Sequence, residues 1–517
     1  MDQQNIFDPV PVHKLESLNK AELIRYIDLQ QQTTKQLQSY LKKIENSIEK
    51  ERQYNLFLSE EYILLRDKVF GKSSEKEGSE NKDKKKDKNS SKPKKRKVQL
   101  PSERYPNVPV EERDIELQEL PQCSCCGHKM KDSGLTEDSE YLTVIPAKYI
   151  IIRQKRHKYS CSKCYGDIQT ASCEPRIKPG SAFGDEMIID VAMSKYCDLI
   201  PVERYAAIAG RQGLLDLPPQ SLIELTHYLA DFVRDAYDQL KDKIMDSEVL
   251  HADETPHRML EGDEKSHWYL WGFSTMSTSY FDIQNTRSGM VASDFLKKSK
   301  CQFLMSDVFS GYPKAIRDIN EYRAHHQLPL AENLHCNSHS RRYFKEARMF
   351  EEEAQYFIDQ YKKIYRLNAF SKKRSFKQVS RARHFMRPLF LDMQKKATDI
   401  LLNYSNKSKM AKALSYFLNN YECLTKFLNN PALPIDNNSQ ERLLRNPVIG
   451  RKTWYGTHSK RGAKTAAILF SLVESCKLNQ VNPREYFKHL VQDLLSGKKA
   501  YTPEEFKNNH SHAVPDG

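Results

Sequence analysis

Residues 71–100 cannot join a hydrophobic core. Val98 and Leu100 are their only large apolar side chains among Lys, Ser, Glu, Asp and Asn. Such a stretch cannot offset the entropy of ordering, so a disordered linker is expected and the chain must fold as separate parts on either side of it. The linker holds 12 basic and 5 acidic side chains, a net +7, which is half of the chain's formal +14. Across 517 residues Lys and Arg exceed Asp and Glu by 82 to 68, with a pI near 9.0. That balance favours a polyanionic partner, nucleic acid before an acidic membrane surface. Within the linker, Pro93 to Val98 reads PKKRKV. This matches a short nuclear-import signal, although lysine-rich linkers produce such strings readily.

The length suggests three or four units at roughly 100 to 200 residues each. No run approaches the roughly 18 continuous apolar residues of a membrane span, and Met1 to Asp8 lacks the pattern of a signal peptide. A soluble, cytoplasmic protein is expected. In such a chain the 11 cysteines point to thiols or metal ligands rather than disulfides.

From about Leu15 to Val69 there is neither Pro nor Gly. Leu37, Ile44, Leu58 and Leu65 take one seam position, with Ile27, Leu41, Ile48, Asn55, Tyr62 and Val69 at the other, the period of a coiled coil. Gln30, Thr34 and Glu51 interrupt the seam, and Asn55 at an inner position favours a dimer. Self-association is expected; the alternative is a helix folded back on its own domain.

Two knuckles follow, Cys123-x-x-Cys126 and Cys161-x-x-Cys164, and the interval between them is longer than in compact zinc ribbons. Each can place two thiolates on one tetrahedral Zn²⁺, which would leave no open position and so suits a structural ion. Cys125 competes as a ligand, and buried free cysteines are the plainer reading. Cys173, Cys197, Cys301, Cys423 and Cys476 stand alone and are read as core residues. The alternation at Tyr149-Ile150-Ile151-Ile152 suggests a short strand.

Helical spacing governs 185–246, through Leu222, Leu225, Leu229 and Phe232, with Ser221 able to cap. Strand-length runs then occur at 248–252, 267–274, 279–283 and 302–306, with a helix over 291–298. Residues 341–429 read as helical, and two further helices run through Glu441 and over 463–478. No internal repeat is present.

Asp253 lies in the acidic pair Asp253-Glu254 at the expected end of a strand, and Asp307 closes a second strand. Glu441 falls in the first turn of a helix that Asn438 can cap. Singly, each has a structural reading as a turn former or capping residue. Together they supply hard oxygen ligands suited to Mg²⁺ or Mn²⁺. Their wide separations along the chain fit many folds and do not by themselves bring them together.

HADETP at 251–256, SDVFSGY at 306–312, HCNSHSRRYF at 335–344 and NNSQERLLRNPVIGRKTWYG at 437–456 resemble, in order, the core motifs of insertion-sequence-66 family transposases of the TnpC type. FGKSSEK at 70–76, the two Cys knuckles, SKYCDLIPVERYAAIAGRQG at 194–213 and SLVESCKLNQVNPREYF at 471–487 extend the resemblance over about residues 15–490. It implies a multidomain α/β protein whose ribonuclease-H-like core is interrupted by a helical insertion, with Asp253, Asp307 and Glu441 as its DDE triad. It further implies metal-dependent DNA cleavage and strand transfer at the ends of a mobile element.

The expected plan is a helical segment over 1–70, the linker over 71–100, a zinc module over 101–178 and a helical, DNA-binding block over 179–246. The core occupies 247–345 and 431–490 around an insertion at 346–430, and a tail covers 491–517. The family's C-x-x-H followed by basic residues maps onto Cys336, His339, Arg341 and Arg342. Asn337 stands where the family usually has Trp, so Cys336 and His339 are read as a satisfied core pair without metal.

Arg442, Arg445, Arg451, Lys452, Lys460 and Arg461 surround Trp454 and Tyr455, and are expected to contact DNA through phosphates and stacked bases. The plainer reading is a solvated basic face with a core Trp. Expected partners are element ends, target DNA, a second copy of the chain and accessory proteins of the same element, which implies association with the nucleoid. The rival to the enzyme is an inactive, zinc-stabilised DNA-binding protein derived from one.

Overall fold

In the computed structural model the described residues are 19–45 and 100–510. Excepted are positions 29, 33, 36, 40, 44, 123 and 130 and residues 106–107, 113–121, 126–128, 131–138, 144–147, 161–167, 261–266 and 372–374. The chain divides into two compact units, residues 72–155 and the remainder.

Residues 20–45 are helical wherever described. Asn19 starts them: its Oδ1 accepts from the Ala21 and Glu22 N–H groups at 3.1 and 3.0 Å, and Glu22 Oε2 accepts from the Asn19 N–H at 3.0 Å. This reciprocal pair satisfies donors that the first turn leaves open. Ile24, Ile27, Leu37 and Leu41 are exposed on this helix. The expected seam beyond residue 45 and nearly all of the linker lie outside the described residues.

In the 72–155 unit the expected strand at Tyr149–Ile152 does not form, and Ile150, Ile151 and Ile152 are exposed. Alternation makes a strand only where a neighbouring strand supplies the ladder, and this run belongs to neither sheet formed by the described residues. In the other unit, Lys158–Ser160 pairs antiparallel with Ile168–Thr170. Cys123, Cys126, Cys161 and Cys164 lie outside the described residues. Cys301 and Cys476 are buried and Cys197 and Cys423 partly so, but Cys173 is exposed. It follows the short ribbon in an irregular, exposed run.

Four helices fill the expected helical block: α1 (Asp185–Tyr196), α2 (Val202–Arg211), α3 (Pro219–Phe232) and α4 (Arg234–Met245). Ser221 does not cap α3. Pro218 holds the cap position and Pro219 the first helical one, where a missing N–H costs nothing.

The strands are β1 (Val249–Arg258), β2 (His267–Ser274), β3 (Ser279–Gln284), β4 (Phe303–Ser306) and β5 (Glu332–His335). They form one sheet in the order β3-β2-β1-β4-β5. The first three are an antiparallel meander; β4 joins β1, and β5 joins β4, in parallel. Helices α5 (Met290–Leu296) and α6 (Gly311–His325) provide the two crossovers. Trp271 and Phe273 of β2 and Phe281 of β3 are fully buried.

After β5 come α7 (Asn337–Ala347), α8 (Ala354–Ser371), α9 (Phe376–Leu401), α10 (Lys409–Asn419) and α11 (Tyr421–Thr425). Their core of Phe344, Phe357, Tyr361, Phe390 and Phe417 is continuous with Met305 and Leu334 of the sheet. The chain returns as α12 (Asn438–Trp454) and α13 (Lys460–Leu478).

Helix α13 closes one sheet edge. Ser471 Oγ accepts from the Phe281 N–H at 2.8 Å and Ser475 Oγ from the Ser279 N–H at 2.9 Å, so the outer backbone of β3 is not left as a template for another strand. The expected tail is structured through His510. It begins inside α14 (Pro483–Leu495), and α15 (Pro503–His510) buries Phe506 and pairs Glu504 with Lys243 of α4 at 3.0 Å.

Candidate active site

Asp253 is not at a strand end. It sits within β1, which continues to Arg258 because β2 pairs with it as far as His267. Asp307 directly follows β4, and Glu441 lies in the first turn of α12. Strand register brings the two aspartates together. In the parallel pair Val249 faces Phe303 and His251 faces Met305, and the same register, continued two positions along each strand, carries Asp253 beside Asp307. Neighbouring strands run about 4.8 Å apart and positions in register share a face.

Helix α12 crosses that same face. Gly272 is the cross-strand partner of Asp253, and a Cβ on Gly272 would fall 2.1 Å from Gln440 Nε2, so glycine lets the helix settle beside Asp253. Asn437, rather than Asn438, is the cap residue, and its side chain does not cap. Its Nδ2 donates to the Ala252 carbonyl at 2.9 Å, its Oδ1 lies 2.9 Å from His251 Nδ1, and its backbone N–H reaches Cys336 Sγ at 3.2 Å. One residue thus ties α12 to β1 and to the end of β5.

The electrostatics follow from this crowding. Burial pushes the Asp253 carboxyl up to about 8, and Glu254, Asp307 and Glu441 push it further in the same direction. Glu254 lies on the other side of β1, where Arg287 Nε donates to Oε1 at 2.8 Å and the Tyr312 hydroxyl to Oε2 at 2.7 Å. Arg287 also stacks 4.0 Å over the Phe309 ring, which bridges the site to the segment after Asp307. The Asp253–Glu254 pair was legible in sequence, but Arg287 and Tyr312, 33 and 58 residues further on, carried no local signal.

Beside Glu441, His339 Nε2 lies 3.7 Å from Oε1 and Arg342 3.8 Å from Oε2. Cys336 is fully buried, and its thiol is pushed up to about 12 by burial. His339 is only partly buried, with Nδ1 lacking any hydrogen-bond partner, so the two are not a satisfied core pair.

Among the remaining basic candidates, Arg442, Arg445 and Lys452 are exposed along α12 beside Ile449, and Lys460 is exposed at the start of α13. Arg451 is partly buried. Arg461 is engaged with Glu224 at 2.8 Å and Asp231 at 3.4 Å. Trp454 packs edge-on against Tyr196, with centroids 6.4 Å apart, under Lys195. Tyr455 is exposed, with a left-handed φ of 65°.

Asp253 and Asp307 come from two adjacent strands and Glu441 from the crossing helix, near enough for their charges to act on Asp253. Among the described residues, however, the three ligand atoms found within 4.8 Å of one another belong to Cys336, His339 and Glu441. Asp253 has like charges around it, whereas Glu254, just across the strand, already has its guanidinium. The molecule is therefore a mixed α/β protein with two aspartates on adjacent strands of its sheet and a glutamate on the helix that crosses them. The description "Transposase IS66 family" matches residues 180–465, more than half of the chain, and the chain belongs to that family. A second match, "zinc-finger binding domain of transposase IS66", covers residues 121–165, which supports a structural zinc there.

The chain is similar to three proteins of Sinorhizobium fredii (strain NBRC 101917 / NGR234), each called an uncharacterized protein. It is 22% identical to y4hP over 410 residues, covering 74% of this chain and 72% of that one. Against y4jD it is 22% identical, covering 73% and 76%. Against y4qI it is 26% identical, covering 69% and 68%.

Proposed function

We propose that this chain is a DNA transposase with a ribonuclease-H-like core, in which Asp253, Asp307 and Glu441 hold divalent metal, Mg²⁺ or Mn²⁺, for cleavage and strand transfer at the ends of an insertion sequence. The observation that carries this reading is the parallel register of β1 with β4, which, continued two positions, sets Asp253 beside Asp307, with Glu441 close enough to help raise the buried Asp253 carboxyl. The mixed strand order β3-β2-β1-β4-β5 supports the ribonuclease-H-like assignment. When bound, a pair of divalent cations supplies activation of the attacking oxygen and stabilisation of the leaving one, which phosphodiester cleavage and strand transfer both need.

The chain's own residues hold and orient. Asp253 and Asp307 project from neighbouring strands, and Glu441 approaches from a helix anchored by Asn437. Arg442, Arg445, Arg451, Lys452 and Lys460 line the DNA, with Trp454 behind them, and Tyr455 offers a face for an unpaired base, whereas Arg461, expected among them, is held by Glu224 and Asp231. Cys123, Cys126, Cys161 and Cys164 hold the structural zinc. The exposed Ile24, Ile27, Leu37 and Leu41 join two copies of the chain through a coiled coil.

The test is cleavage of a linear duplex carrying the sequences that flank this gene in its genome. With Mg²⁺ the full chain nicks at a 3′ end, and Asp307→Asn abolishes nicking while DNA binding persists. Equal cleavage by the variant overturns the carboxylate assignment, and binding without cleavage by the wild type points to the inactive DNA-binding protein.

A further inference from the structure

We propose that Cys336, His339 and Glu441 form a second metal site, selective for a thiolate-binding divalent ion of the Zn²⁺ class, which draws Glu441 away from Asp253 and Asp307. The site stands on its own geometry. Its inhibitory consequence rests on the proposed role of Glu441.

The three ligands come from elements already tied together. Cys336 ends the β5 segment, where its N–H donates to the Ser306 carbonyl at 3.2 Å, and it occupies the cap position of α7. His339 follows in the first turn, so the C-x-x-H spacing presents both side chains from one rigid corner. Glu441 enters on α12, whose cap residue Asn437 donates its N–H to Cys336 Sγ.

One ligand atom from each residue lies within 4.8 Å of the others, and His339 Nε2 and Glu441 Oε1 are 3.7 Å apart. Zinc at about 2.0–2.2 Å from nitrogen and oxygen in a tetrahedron separates two such ligands by roughly 3.4 Å, so a shift of a few tenths of an ångström closes that pair on one ion.

An orphaned atom points the same way. Glu441 Oε1 is buried with no hydrogen-bond partner, a costly state that an ion held between it and His339 Nε2 relieves. The other carboxylate oxygen, Oε2, faces Arg342, which leaves Oε1 for the metal. Sulfur and imidazole set this site apart from the all-oxygen cluster next to it: thiolate selects zinc-like ions and carboxylate alone suits Mg²⁺. Three protein ligands leave a fourth position open, unlike the closed tetrahedron of a four-cysteine site.

The experiment counts zinc bound per chain on the intact protein, after equilibration with buffered Zn²⁺ and removal of free ion. Wild type, Cys336→Ser and His339→Asn are compared, with far-ultraviolet circular dichroism confirming that each variant keeps its helices. Both variants are expected to carry one equivalent fewer than the wild type, and the double variant Cys123→Ser/Cys126→Ser to lose a different equivalent. Unchanged zinc in either folded variant overturns the site and leaves His339 as a neighbour of Glu441 only. The count requires no cleavage, so failure of the proposed chemistry leaves it readable. Where the wild type cleaves DNA with Mg²⁺, added Zn²⁺ is expected to inhibit it by at least tenfold; no inhibition overturns the competition.

Discussion

His251 Nδ1 lies 2.9 Å from Asn437 Oδ1, and this contact joins the strand that carries Asp253 to the helix that carries Glu441. An amide oxygen only accepts, so His251 donates from Nδ1, while the Asn437 amide nitrogen serves the Ala252 carbonyl. Asn437 is fully buried. Asn437→Ala removes the Ala252 carbonyl's side-chain donor and leaves the His251 ring N–H with Ser439 Oγ at 3.3 Å, and should cost about 1–3 kcal/mol, the range for one unsatisfied buried group. Urea unfolding reads this directly, and a loss under about 1 kcal/mol would show that the two elements are held mainly by apolar packing.

Gly272→Ala tests how closely α12 lies on the sheet. The new Cβ would meet Gln440 Nε2 at 2.1 Å and the Phe281 ring at 3.0 Å, and Gln440 is fully buried with both amide atoms unpaired. Overpacking of this kind costs about 1–3 kcal/mol. Gln440→Ala should restore part of that in the double variant, since it removes the tighter contact and an unsatisfied amide together. Strictly additive effects would place the strain on Phe281 alone.

The sheet was mostly readable from sequence because its strands are apolar or aromatic runs bounded by turn residues. Strand β5 was not: Glu332-Asn333-Leu334-His335 offers one apolar side chain, and its pairing is supplied entirely by β4. The end of β1 was misplaced because the polar residues 253–258 contain Pro256. That proline is tolerated because β4 pairs with β1 only as far as His251, which leaves one side of the strand without a ladder to break. The carboxylates themselves were visible through their motifs. The approach of Asp307 to Asp253 depends on the parallel register of β1 with β4, and that of Glu441 on a helix returning after a long helical stretch, which are long-range facts that local pattern does not contain.

His257 carries a pH signature. Burial, aided by Arg451, lowers it to about 4 from an ordinary value of 6.5, and its Nε2 lies 2.9 Å from Thr457 Oγ1. Between those values the unfolded chain binds the proton and the folded one does not, so this group's contribution to stability is full above pH 6.5 and falls as pH drops towards 4. His257→Gln keeps a polar partner for Thr457 without the titration. Relative to that variant the wild type should lose up to roughly 3 kcal/mol between pH 6.5 and 4. Parallel stability curves would mean that His257 is protonated in the fold.

A divalent cation should stabilise the fold through Asp253, Asp307 and Glu441. At a hundredfold excess over its dissociation constant, one bound ion contributes about 2.7 kcal/mol. Mg²⁺ is therefore expected to raise the melting temperature of the full chain by several degrees, and Asp307→Asn to remove most of that rise. An equal rise in the variant would locate the ion elsewhere.

Arg445 and Arg461 should separate two uses of a basic side chain. Arg445 is exposed on α12 in line with Arg442 and Lys452, whereas Arg461 spans Glu224 and Asp231 of α3 with its guanidinium. A phosphate contact releases counterions, so the logarithm of affinity falls with the logarithm of salt by about 0.9 per contact. Arg445→Ala should weaken binding to a linear duplex and reduce that slope by about one. Arg461→Ala should leave the slope nearly unchanged and act through the α3–α13 contact, by about 1 kcal/mol or less, because the pair is half-exposed. If Arg461→Ala lowers the slope by a full unit, then its acidic partners release it when DNA binds, and the ion pairs of the free protein describe a resting arrangement of the basic face.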